Sequence, residues 1–122
     1  MLLKRLALAG SVLFLSAGIG VAGTVDVEKV QVRKNANGSY SFDVTVRHGD
    51  TGWDHYANRW DVVAPDGTVL GTRVLHHPHV DEQPFTRSLS GVEVPDGVTS
   101  VTIRAHDSVH KLGGKEIKVE LK

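Results

Sequence analysis

Apolar and polar residues alternate along most of this chain. Tyr40, Phe42, Val44 and Val46 are interleaved with Ser41, Asp43, Thr45 and Arg47, the period of two that a strand with one buried face imposes. Shorter stretches repeat the pattern: Trp60 and Val62 within 59–64, the run 68–75, Phe85 to Leu89, then Val101, Ile103 and Ala105, and finally Ile117, Val119 and Leu121. At 24–33 the phase slips, with Val25 and Val27 on one side and Val30 and Val32 on the other. That slip predicts a bulge, or a strand changing sheets, near Glu28-Lys29. Asn35-Ala36-Asn37-Gly38, Pro65-Asp66-Gly67, Val94-Pro95-Asp96-Gly97 and Gly113-Gly114 supply turn chemistry between the runs. No segment carries a helical apolar period. About seven short strands in one unit predict an all-β immunoglobulin- or fibronectin-III-like β-sandwich spanning 24–122 as a single domain, with a partly open barrel as the alternative.

The first 23 residues break the alternation. Lys4-Arg5 precedes an apolar run from Leu6 to Leu15, and small residues follow to Ala22-Gly23. A basic start, a short apolar middle and a small-residue end describe a secretory signal peptide. The stretch from Leu6 to Ala22 is shorter and more diluted by glycine and serine than the roughly 20 apolar residues a spanning helix needs. The expected mature protein is therefore secreted, periplasmic or extracellular, with no membrane span left after cleavage.

Composition narrows the chemistry. The whole chain has 14 Lys+Arg and 14 Asp+Glu, and loss of Lys4 and Arg5 leaves a mature balance of −2 (12 against 14). That is no footprint for nucleic acid. Secretion permits disulfides, but the chain has no cysteine, and its one methionine is Met1. The fold must rest on core packing, and any metal site must use nitrogen and oxygen ligands.

Seven histidines remain, and their placement is the most informative feature. Consecutive antiparallel strands put successive connections at alternating ends of a sandwich. The first, third and fifth connections (35–38, 65–67 and 91–97) contain no histidine. The second, fourth and sixth (49–57, 76–84 and 107–114), with the adjoining strand ends, contain all seven. One end is thus plain turn chemistry, and the other reads as a loop-built site on a rigid scaffold. The densest stretch is His76-His77-Pro78-His79-Val80-Asp81-Glu82. Two residues apart in a proline-stiffened segment, His77 and His79 can project to one side. With His55 and His110 they are expected to supply most ligands of a divalent metal. His48, His76, His106, Asp81 and Glu82 are further candidates, and Asp54, Asp81 and Asp107 are candidates to accept the second ring N–H. Imidazole suits Zn(II), Cu(II) and Ni(II), while Cu(I) prefers sulfur that the mature chain lacks, so the expected ion is Cu(II) or Zn(II). In the plainer reading His48 caps the core, His106 faces solvent, and Trp53, Tyr56 and Trp60 are lids of the core.

The mature segment resembles small secreted bacterial immunoglobulin-like sandwich proteins. The resemblance lies in His76-His77-Pro78-His79 with Glu82-Gln83-Pro84-Phe85, and in Asp107-Ser108-Val109-His110 before Gly113-Gly114. It implies the fold and brings no activity. Three function classes follow: a metal-binding module, a metal-free structural or interaction domain with an envelope protein partner, and a metal enzyme. For the last, copper/zinc superoxide dismutases share the broad architecture, but fold analogy carries no activity. A metal-free Ser108-His110-Asp107 triad is weaker, since three residues on one turn rarely reach triad geometry.

The leader pattern sets the first measurement. Mass spectrometry of exported protein is expected to find a mature chain beginning at Gly23 or Thr24; an intact Met1 in the soluble fraction would refute the signal assignment.

Overall fold

The computed structural model describes residues 23–121; the leader up to Ala22 lies outside the described residues. Seven strands form where the alternation runs: β1 (Asp26–Lys34), β2 (Tyr40–Arg47), β3 (Ala57–Val63), β4 (Val69–Val74), β5 (Phe85–Val92), β6 (Ser100–Asp107) and β7 (Ile117–Glu120). Among the described residues there is no helix, and none long and apolar enough to cross a membrane. The strands make two antiparallel sheets, β1-β2-β5 and β4-β3-β6-β7.

The two sheets face each other across one core. Phe42, Val44 and Val46 of β2 meet Trp60 and Val62 of β3 and Val101, Ile103 and Ala105 of β6, all buried. Trp60 lies opposite Ala105 and Val62 opposite Ile103 in the β3–β6 register, so the bulky indole faces a small neighbour across the ladder. The phase slip in β1 is a register shift between Val27 and Lys29. It lets Val25 and Val27 enter the core, while Val30 and Val32 pack against it from the edge strand.

Trp53 differs from its expected place over the core. It is 67% exposed and touches Tyr56 edge to face, with ring centroids 5.6 Å apart. The loop turns too tightly to bring it inward: Thr51 N donates to His55 O and His55 N to Gly52 O, at 3.0 and 3.2 Å. Trp60 alone of the three aromatics is fully buried in the core.

Both inward rows end in polar residues at the same end of the molecule. On β2 the row Tyr40-Phe42-Val44-Val46 continues to His48, and on β6 the row Val101-Ile103-Ala105 continues to Asp107; both are buried. Because β2 and β6 belong to opposite sheets, these two side chains close the space between the sheets.

With no disulfide to support it, the fold is sensitive to its central side chains. Phe42→Ala is expected to cost about 3–5 kcal/mol and Ile103→Ala about 2–5 kcal/mol, read as shifts in urea midpoint at constant slope. Two near-neutral substitutions would show that these positions do not carry the core.

Candidate metal centre

The site is built on Asp107. Its Oδ1 accepts backbone N–H bonds from Val109 (2.7 Å) and from His110, which curls the 107–111 segment into a tight turn. That turn is closed by Asp107 N donating to Lys111 O and Lys111 N to Asp107 O. With Oδ1 occupied, Oδ2 is aimed at three imidazoles. It lies 3.3 Å from His48 Nε2, 3.5 Å from His55 Nε2 and 3.4 Å from His110 Nδ1. It is buried and has no hydrogen-bond partner. Burial pushes the Asp107 carboxyl up, but the N–H groups of His110 and Val109 and the neighbouring His48 outweigh it and hold the acid below its usual range.

Each imidazole arrives from a different element. His48 directly follows β2, His55 sits in the tight 49–57 loop and His110 in the 107–114 loop. Tyr56 N donates to Ser108 Oγ and Ser108 N to Tyr56 O, at 3.1 and 3.0 Å, which ties the two loops together. His110 Nδ1 then lies 3.2 Å from His55 Nε2. His48 and His55 meet edge to face at 4.8 Å.

Asp50 sets the orientation of His48. Both side chains are fully buried, and His48 Nδ1 donates to Asp50 Oδ1. The same oxygen accepts from Ala57 N (3.1 Å), and Oδ2 accepts from His79 N (2.7 Å). A carboxylate so engaged only accepts, so a neutral His48 carries its proton on Nδ1 and presents a bare lone pair at Nε2. That lone pair faces two oxygens, Gly23 O at 2.9 Å and Asp107 Oδ2 at 3.3 Å.

Gly23 O is also 3.1 Å from His55 Nε2 and 2.9 Å from His110 Nδ1. A carbonyl oxygen has two lone pairs, yet three ring nitrogens surround it. Three nitrogens and two oxygens thus converge with too few protons to pair them all, unless imidazoles crowded together are charged. His48, His55 and Asp107 could hold a metal ion.

The histidines of the 76–84 loop stand apart from this cluster. His79 is buried and stacks on Phe85, ring centroids 3.9 Å apart, and its Nε2 accepts from Arg87 at 2.9 Å. Burial, then the Arg87 and His77 charges, depress its pKa, which matches a neutral ring accepting that bond. Its Nδ1 is buried with no partner. His77 is exposed beside it, ring centroids 4.8 Å apart. His76, Asp81 and Glu82 are exposed, and Glu82 Oε1 pairs with Arg87 at 3.1 Å. His106 is half-buried and bonds Asn58 Oδ1 through Nδ1 at 2.7 Å; burial and the charge of Arg59 lower its pKa. The loop still reaches the cluster through the side chain of Gln83, whose Oε1 accepts from His48 N at 2.9 Å while its Nε2 donates to His79 O at 2.9 Å.

Of the expected residues, the structure therefore brings together His48, His55 and His110, and does not bring His77 or His79 to them. Two participants escaped the sequence reading of the ligand set: Asp107, taken only as a partner for a second ring N–H, and Asp50. The signal for Asp107 was present, because it holds the inward phase of Val101-Ile103-Ala105.

A protein of Halomicrobium mukohataei described as a "Putative lipoprotein" is similar to this chain, 40% identical over 95 residues that cover 78% of this chain and 46% of that protein. The chain thus spans a little under half the length of the relative it matches. No family model and no solved structure matches it.

Proposed function

We propose that this is an envelope or secreted domain that binds a divalent transition metal through His48 Nε2, His55 Nε2, His110 Nδ1 and Asp107 Oδ2. The observation that carries the reading is the orphaned Asp107 Oδ2, buried and nearly equidistant from three imidazole nitrogens. The donor separations fit an ion. Tetrahedral zinc with bonds of about 2.0–2.1 Å sets neighbouring ligand atoms roughly 3.3 Å apart, and the four donor pairs whose separations are given above lie at 3.2–3.5 Å. Among the described residues, His48, His55 and Asp107 form the group that could hold a metal ion, their ligand atoms within 4.8 Å of one another; His110 extends it. Nitrogen and oxygen donors without sulfur favour Zn(II) or Cu(II). Asp50 acts on the metal through His48, fixing the tautomer that leaves Nε2 free.

The strand order β1-β2-β5 against β4-β3-β6-β7 supports an immunoglobulin- or fibronectin-III-type sandwich. Envelope or secreted placement is supported by the leader pattern and by the lipoprotein description of the Halomicrobium mukohataei relative.

A metal-free interaction role is favoured by a different observation. Trp53, Val80, Val109 and Leu112 are exposed large apolar side chains on the three loops at this same end, as a surface for an envelope protein partner would require. Binding of such a partner would survive a chelator, whereas metal-dependent behaviour would not.

Calorimetric titration of Zn(II) and Cu(II) into tag-free protein tests the metal reading. Tight binding is expected, lost in the His55→Ala/His110→Ala double variant and retained in His77→Ala/His79→Ala. Asp50→Asn should weaken it about 10–100-fold. Affinity should fall on acidification, because protons compete with the metal for the imidazole nitrogens. Wild-type binding weaker than about 0.1 mM, near −5.5 kcal/mol, overturns the proposal. Loss with the His77/His79 pair and retention with the His55/His110 pair overturns this choice of ligands.

A further inference from the structure

We infer that the Gly23 main chain is itself a ligand of this centre, and that cleavage between Ala22 and Gly23 completes it by freeing an α-amine that chelates the metal together with the Gly23 carbonyl. The inference rests on the metal reading above and deepens it.

Gly23 O lies 2.9, 3.1 and 2.9 Å from the ring nitrogens of His48, His55 and His110. It occupies the same cluster of donor atoms as Asp107 Oδ2. Its position is enforced by the segment that follows. Val25 is buried in the core, Val27 N donates to Lys115 O, and Lys115 N donates to Asp26 Oδ1, each bond 2.8 Å. Gly114 lets the 107–114 loop press against this segment, because a Cβ there would stand 1.7 Å from Val25 O. The chain start is thus clamped to the loop that carries His110.

Residue 23 itself must be glycine. A Cβ there would lie 2.2 Å from His110 Cε1, whether or not the bond before it is cut. Any larger residue would push His110 out of the cluster. Independently, the small-residue end of the leader predicts cleavage on one side or the other of this residue, and we take the cut before it. Two unrelated observations, one of contact and one of processing, fall on one residue.

The chemistry of cleavage supplies what the uncut chain lacks. Hydrolysis by the signal peptidase adds water across the Ala22–Gly23 peptide bond: Ala22 leaves as a carboxylate, and Gly23 keeps an amine. An α-amine offers a nitrogen lone pair to a metal, while an amide nitrogen, conjugated with its carbonyl, has none to offer. Nitrogen, Cα, carbonyl carbon, carbonyl oxygen and metal close a five-membered ring. An extra nitrogen beside imidazoles favours the tetragonal nitrogen–oxygen environment of Cu(II) over tetrahedral Zn(II).

The test compares three proteins: one starting at Gly23, one starting at Thr24, and one with two alanines placed before Gly23 to stand for the uncut chain. Cu(II) affinity is measured by competition titration, the nitrogen ligation by electron paramagnetic resonance, and folding by thermal midpoint. The Gly23 form is expected to bind Cu(II) at least tenfold tighter than either other form, with an additional nitrogen coupling and an unchanged metal-free midpoint. Equal Cu(II) affinity in all three overturns this inference and leaves the imidazole–carboxylate site standing. Weak binding by the Thr24 form alone overturns the role of the amine. Absence of binding in all three overturns the metal reading itself. Exported protein beginning at Thr24 also overturns the inference.

Discussion

A carboxylate taken out of water needs positive charge or hydrogen bonds in return, and the loop end of this molecule is shaped by that requirement. Asp107 is fully buried at the point where β6 runs out of apolar partners. Half of its demand is met by the N–H groups of its own turn. The other oxygen has only imidazole nitrogens to face. An uncompensated buried charge costs several kcal/mol, so the surrounding elements are arranged to bring three histidines to it. Each comes from a different place in the chain. The result is a cluster whose shape depends on the two sheets keeping their distance and on three loops keeping their conformations.

Those loops are held by polar contacts more than by apolar ones. Asp50 is the second buried carboxylate at this end, and it joins three segments: His48 just after β2, the Ala57 backbone at the start of β3 and the His79 backbone in the 76–84 loop. Gln83 reinforces the same junction. Buried polar networks of this kind specify one arrangement when every member is satisfied. Here the two buried atoms left without a partner at this end, Asp107 Oδ2 and His79 Nδ1, mark where the network is incomplete. The first is surrounded by nitrogen donors that converge on it. The second belongs to a ring locked by Phe85 and Arg87, and it serves packing.

That contrast explains why the densest histidine stretch is not the densest histidine cluster. Along 76–82 the spacing puts three imidazoles close in sequence, yet His76 and His77 stay exposed and His79 turns to stack on Phe85. Phe85 sits six residues further on, at the start of β5, and stacking on it buries the His79 ring against an apolar face. Ligation in the cluster would forfeit that area and the Arg87 bond. Proximity along a chain is a weaker guide to ligand sets than the direction in which each side chain points.

Strand number, the β1 bulge and the segregation of histidines to one end were legible in the sequence, because a period of two and the alternation of chain ends are local properties. The sidedness of His48 was legible for the same reason, since it continues the inward row of β2. Tertiary structure decided which histidines meet. His48, His55 and His110 are brought together by register between sheets, by the Tyr56–Ser108 bonds between loops and by the turn that Asp107 caps, and none of these leaves a periodic trace. Only the fold could show Gly23 at the cluster as well: its approach depends on Val25 and Val27 anchoring in the core and on Gly114 admitting the backbone. The sequence determined what each segment is, and long-range contact determined which segments share a site, because the energies that join them act between residues up to 89 positions apart.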